Sequence, residues 1–197
     1  MTELICLGDS LTFGPGVPKS QKWTSLAHSE HLRITNLGIP GDTTAGMLAR
    51  LQNLLQTPVL QLNPVLRPMV LILGGTNDIF FAGSDIAARG NLAAMVHQLS
   101  AAGYRPVVGI PLPISPQDAP QKWQELADFV HSAALLEDYC RWLKVFCKAF
   151  DVPTVDFRKD YVNQDGSVRR YLLADGLHPN TEGHRVMAAR LLEDLHC

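Results

Sequence analysis

Short apolar runs alternate along this chain with longer stretches in which apolar residues recur at every third or fourth position. The runs fall near residues 3–8, 33–37, 69–74, 105–111 and 152–157, each rich in Val, Ile or Leu and bounded by Gly, Pro or Asn, which predicts five strands. Between them Met47, Leu48, Leu51, Leu54 and Leu55 repeat at helical spacing after Thr43-Thr44, and Leu92, Met95, Val96 and Leu99 do so before Ala101-Ala102-Gly103. One long helical segment is predicted from about 121 to 150, carrying Trp123, Leu126, Phe129 and Val130 and then Leu135, Leu136, Tyr139, Trp142, Leu143 and Phe146. A last helix starts near Thr181 and buries Val186, Met187, Leu191 and Leu192. Strands alternating with helices predict a mostly parallel five-stranded sheet covered on both faces, a three-layer α/β/α sandwich.

Composition narrows the classes without changing that picture. At 197 residues and 46% hydrophobic content, the chain is long enough for one compact domain over 1–197, and no linker or repeat divides it. A net charge of −2 argues against a nucleic-acid partner, and the adjacent pair Arg169-Arg170 reads as a solvated patch or as a contact for an anionic substrate. No apolar run approaches the roughly 20 residues of a membrane span. The first strand begins almost at Met1, leaving no room for a signal peptide, so a cytoplasmic location is expected. Cys140 and Cys147, seven apart on one predicted helix, sit too far from each other for a disulfide, and with Cys6 and Cys197 they read as reduced thiols, two or three of them buried. His28 and His31 share a predicted helix face with no third ligand, so no metal is expected.

The candidate chemistry lies where apolar runs end. Gly8-Asp9-Ser10-Leu11 follows Leu4-Ile5-Cys6-Leu7 and delivers a hydroxyl at the end of the first strand, where α/β sheets keep their sites; it also reads as a turn whose Asp9 or Ser10 caps a helix. Asp175-Gly176-Leu177-His178-Pro179 carries a carboxylate and an imidazole three residues apart, the other members of a Ser-His-Asp set. Two more glycine-rich clusters lie between them, Asn36 to Asp42 and Gly74-Gly75-Thr76-Asn77-Asp78.

In that order and spacing, Gly8-Asp9-Ser10, Gly38 to Gly41, Gly75-Thr76-Asn77-Asp78 and Asp175-x-x-His178 resemble the four sequence blocks of the SGNH hydrolases, also called GDSL esterases and lipases. The resemblance spans nearly the whole chain, shows no departure at a catalytic position, and implies the flavodoxin-like SGNH fold. It also assigns the Ser10 N–H, the Gly41 N–H and Asn77 Nδ2 together as an oxyanion hole. The residues support those roles on their own chemistry. A serine hydroxyl needs a base within reach, which His178 supplies with Asp175 orienting it; Gly41 offers an N–H with no Cβ in the way, and Asn77 a side-chain NH₂. Asp9 and Asp78 read as ties between turns.

The substrate is less defined. Ile79-Phe80-Phe81-Ala82-Gly83 reads as a short loop whose phenylalanines line an acyl pocket or pack into the core. The segment from Pro111 through Pro113 and Pro116 to Pro120 reads as a rigid loop walling the site. Ile79, Phe80, Phe81 and Pro113 are thus candidate substrate contacts, while Trp23 and Trp123 keep a sugar-binding groove open. The expected activity is serine-dependent hydrolysis of small-molecule carboxylic esters or thioesters, of esterase, thioesterase or lysophospholipase type, with neither cofactor nor metal. The alternatives are an O-deacetylase of sugars or small metabolites and a non-catalytic α/β protein holding a phosphate or nucleotide; against the latter, the chain has no P-loop or G-x-G-x-x-G.

Overall fold

The computed structural model describes residues 2–56 and 68–196. Its sheet contains β1 (Thr2–Gly8), β2 (Leu32–Gly38), β3 (Met69–Leu73), β4 (Arg105–Ile110) and β5 (Thr154–Asp156), each within about two residues of the run that predicts it. The order is β2-β1-β3-β4-β5, and all four neighbouring pairs are parallel.

Central β3 reads Met-Val-Leu-Ile-Leu with every residue buried, as a strand covered on both faces requires. Its side chains alternate between two cores. Val70 and Ile72 join the cluster beneath α3 (Thr44–Gln56), α5 (Ile86–Ala101) and α7 (Phe129–Ala149), whereas Met69, Leu71 and Leu73 join the cluster beneath α2 (Trp23–Leu26) and α8 (Thr181–Leu195). The sheet grows one way from β1 to β2 and the other way through β3, β4 and β5. Right-handed crossovers then send their helices to opposite faces, opening a crevice at the carboxyl ends of β1 and β3.

Two expectations need correction. The long helix expected over 121–150 is broken into α6 (Gln121–Gln124) and α7. Asp128 is extended (φ −76°, ψ 99°) and its carboxylate accepts the His131 N–H at 2.9 Å, so it starts a second helix. His28 and His31 share no helix face, because α2 ends at Leu26 and both lie in the connection to β2. Among the described residues, no group of three or more His, Cys, Asp or Glu is placed to hold a metal ion, and no helix is long and apolar enough to cross a membrane. Cys6, Cys140 and Cys147 are buried free thiols, and burial pushes Cys140 and Cys147 up to about 12; Cys197 lies outside the described residues.

Candidate active site

Strand β1 ends at Gly8, and α1 (Ser10–Phe13) begins two residues later. A Cβ on Gly8 would stand 2.1 Å from Thr12 Oγ1 and 2.7 Å from the Leu73 carbonyl, so this close turn needs glycine. Asp9 caps α1, its Oδ1 accepting the Leu11 N–H at 2.8 Å. Ser10 follows that cap at the first helical position, with its N–H outside the helix ladder. Burial pushes the Asp9 carboxyl up to about 7 against the lowering pull of that hydrogen bond.

The second contribution is a tight turn pinched by an antiparallel bridge between Leu173 and Pro179 and by the Ala174 N–H donating to the His178 carbonyl at 2.8 Å. Inside it, Asp175 Oδ1 accepts the Leu177 and His178 N–H groups at 3.1 and 2.7 Å. Asp175 Oδ2 lies 2.8 Å from His178 Nδ1, and His178 Nε2 lies 2.9 Å from Ser10 Oγ. Burial alone would raise the Asp175 carboxyl, but the hydrogen bonds from His178 and Leu177 outweigh it and hold the group below its ordinary range. Gly176 has φ +77°, and a Cβ there would stand 2.5 Å from the Ser115 carbonyl. The proline-rich stretch after β4 backs this turn through the Ser115 N–H, which donates to the Gly176 carbonyl at 2.7 Å. Arg170 is engaged by Asp118 of the same stretch and Arg169 by Asn163.

Two further elements close the crevice. Ile39-Pro40-Gly41-Asp42 forms a turn with the Asp42 N–H donating to the Ile39 carbonyl at 3.2 Å and Gly41 at φ +76°. That is the pattern of a type II turn, which places Pro second and Gly third and leaves the Gly41 N–H outside the turn's own hydrogen bond. Asn77 sits in the first turn of α4 (Thr76–Ala82), directly after β3, and its Nδ2 donates to the Asp42 carbonyl at 2.9 Å. Asp78 accepts the Thr44 N–H and hydroxyl at 2.9 and 2.6 Å, so Asp78 ties two turns together, whereas Asp9 only caps its own helix and its Oδ2 has no partner.

A cavity of about 320 Å³ joins these parts. Ser10, Gly41, Asn77 and His178 line it together with Phe80, Phe81, Trp123, Leu126 and Phe129. Phe80 does double duty, lining the cavity while packing at a tilt against Phe129 with centroids 4.7 Å apart, and Phe81 stands at the rim, 73% exposed. Two expected contacts are overturned. Residues 79–82 belong to α4 rather than a loop, and helical phase turns Ile79 into the core at 0% exposure; Pro113 is buried and does not line the cavity. Trp123 stands edge-on to His178 at 5.9 Å. Trp23 is buried, donating from Nε1 to the Leu11 carbonyl at 2.8 Å, and cannot meet a sugar. The spacing of Leu126 and Phe129 reads as a continuous helix face and carries no signal that they line the cavity. A larger open groove of about 1220 Å³, walled by Ile114 to Gln117 and Arg170, borders the same segment but contains none of Ser10, Asp175 and His178.

The model of the GDSL-like Lipase/Acylhydrolase family matches residues 6–186, which takes in all four clusters. The chain belongs to this family. Esterase TesA of Pseudomonas aeruginosa is 30% identical to this GDSL-like hydrolase over 183 residues, covering 89% of the chain and 79% of the relative. An arylesterase of Vibrio mimicus is 26% identical over 199 residues, covering 98% and 88%. In fold, the chain is similar to a member of the lipolytic G-D-S-L family from Veillonella parvula, with a TM-score of 0.78, 23% identity and coverage of 98% and 97%. Membership makes the chain an enzyme of the esterase and acylhydrolase class, with a small-molecule ester as its substrate.

Proposed function

We propose that this GDSL-family esterase works through an acyl-enzyme on Ser10 and takes carboxylic esters or thioesters with medium or long apolar acyl chains. The observation that carries the reading is the line Asp175–His178–Ser10, with gaps of 2.8 and 2.9 Å, opening into a cavity walled by aromatic and aliphatic side chains.

With His178 Nδ1 donating to Asp175, Nε2 is the ring's acceptor for the Ser10 proton. Ser10 Oγ bonds to the acyl carbon as that proton moves to Nε2, and the carbonyl oxygen takes the negative charge. The Ser10 and Gly41 N–H groups and the Asn77 hydrogen not engaged by Asp42 stabilise that charge. Collapse breaks the bond to the leaving oxygen or sulfur, which receives the proton from Nε2. Water then repeats the sequence on the acyl-enzyme, and the carboxylic acid leaves.

Phe80, Trp123 and Phe129 offer an acyl chain apolar area worth about 0.8 kcal/mol, or nearly fourfold in kcat/KM, per buried methylene. An acetyl group would leave most of that surface unused, which favours a long-chain acylhydrolase over a deacetylase. The test is hydrolysis of an ester series from acetyl to palmitoyl by wild type and Ser10→Ala. Serine-dependent turnover rising through medium chains supports the proposal, turnover confined to acetyl moves it to a deacetylase, and no serine-dependent turnover at any length overturns the acyl-enzyme on Ser10.

A further inference from the structure

Arg50, on α3, does not line the cavity, yet its guanidinium gathers two backbone carbonyls and the Asp42 carboxylate. Nη1 donates to the Leu37 carbonyl at 2.8 Å near the end of β2, and Nη2 donates to the Gly8 carbonyl at 3.1 Å at the end of β1. Nε and Nη2 also donate to Asp42 Oδ2 at 3.0 and 2.7 Å. On the other side of the carboxylate α3 packs so closely that a Cβ on Gly46 would stand 1.9 Å from Asp42 Oδ1. Asp42 is thereby held in one place.

Asp42 is also where two of the oxyanion donors meet. It closes the turn that presents the Gly41 N–H, and its carbonyl accepts Asn77 Nδ2 at 2.9 Å. We propose that Arg50 is a positioning residue for the oxyanion hole, fixing Asp42 against the ends of β1 and β2 so that the Gly41 N–H and Asn77 Nδ2 aim at one point. This rests on the acyl-enzyme reading above. A planar fork with five N–H donors can serve a carboxylate and two carbonyls at once, whereas a lysine ammonium on a flexible stem cannot span all three. Donors that must meet charge developing in the transition state are sensitive to such aim, since a misplacement of about 1 Å can cost about 100-fold in rate.

A merely structural tie would affect folding alone, so the test reads catalysis and folding separately. Arg50→Gln and Arg50→Lys are assayed for kcat and KM, for affinity toward an alkyl boronic acid that forms a tetrahedral adduct on a serine, and for melting temperature, with Ser10→Ala in parallel. The expected result is a fall in kcat of roughly 10- to 100-fold, KM within about twofold of wild type, and a matching loss of boronic-acid affinity in protein that is folded at the assay temperature. Should Arg50→Gln not fold, Arg50→Lys, which keeps the charge and can still reach Asp42, decides by the same readouts. Unchanged kcat and boronic-acid affinity in a folded variant overturn the proposal, as does a loss of kcat that follows the unfolded fraction. If Ser10→Ala is inactive while the Arg50 variants retain full kcat, the positioning role alone fails; if Ser10→Ala turns over like wild type, the acyl-enzyme reading fails and the positioning role with it.

Discussion

Asp175 holds His178 twice, with Oδ2 2.8 Å from the ring Nδ1 and Oδ1 accepting the residue's own N–H at 2.7 Å. One carboxylate thus shapes the turn and orients the ring, which is how a separation of three residues suffices. Gly176 makes that turn possible by taking φ +77° where a Cβ would meet the Ser115 carbonyl.

Replacing Asp175 by Asn leaves an oxygen for the N–H groups of the turn but sets an NH₂ donor against His178 Nδ1. Asp175→Asn is expected to lower kcat by about 10³- to 10⁴-fold, because the ring loses the partner that fixes its tautomer. The native carboxyl titrates below its ordinary value, so its stabilisation is fully present above about pH 3.9, the unfolded value, and is lost as the pH falls through the native one. Melting curves of wild type and variant should therefore differ at pH 7 and converge in acid.

Asp9 carries the opposite sign. Burial raises it to about 7, so between about pH 3.9 and 7 the unfolded chain gives up a proton that the native one keeps, and stability falls as the pH rises. Asp9→Asn keeps an oxygen for the Leu11 N–H and has no such titration. Its melting temperature should gain on that of wild type by roughly 3 °C or more between pH 4 and pH 8, equivalent to about 1 kcal/mol.

His184 acts over an overlapping window. It is fully buried in the first turn of α8, with Nδ1 accepting the Trp23 N–H at 3.3 Å and Nε2 without a partner. Burial, with the Lys22 charge adding to it, lowers its pKa to about 4. Stability should fall as the pH drops from about 6.5 to 4, where the unfolded chain takes up a proton that the native chain refuses. His184→Gln, which can still accept from Trp23, should abolish that acid-side loss in thermal melts.

In the cavity beside Ser10, which we propose takes the acyl chain, Phe80→Ala removes a wall while leaving the line from Ser10 to Asp175 intact. The preferred acyl chain should lengthen, and kcat/KM should fall by severalfold for the chain that wild type prefers. An unchanged profile across the ester series would remove Phe80 from the pocket.

Much of this was legible in the sequence because the site sits at strand ends. β3 and the later half of β1 are covered on both faces and so read as apolar runs, and the clusters containing Ser10 and Asn77 follow them directly. The face of α4 was harder to read. Adjacent Phe80 and Phe81 beside Gly83 look like a loop, and only the phase of a seven-residue helix decides that Ile79 goes to the core and Phe80 to the cavity. The break at 125–128 hides within helical spacing, since Trp123, Leu126 and Phe129 would share a face if Asp128 did not cap a new helix. Arg50 carries no local signal, because its backbone partners Leu37 and Gly8 lie 13 and 42 residues away.

The most direct test is intact-mass and peptide mass spectrometry of the enzyme quenched during turnover of a slowly hydrolysed medium-chain ester. An acyl-enzyme on Ser10 gives a mass increase of one acyl group, located on the peptide containing Ser10 and absent in Ser10→Ala. An acyl group on another residue, or undiminished turnover by Ser10→Ala, would contradict it.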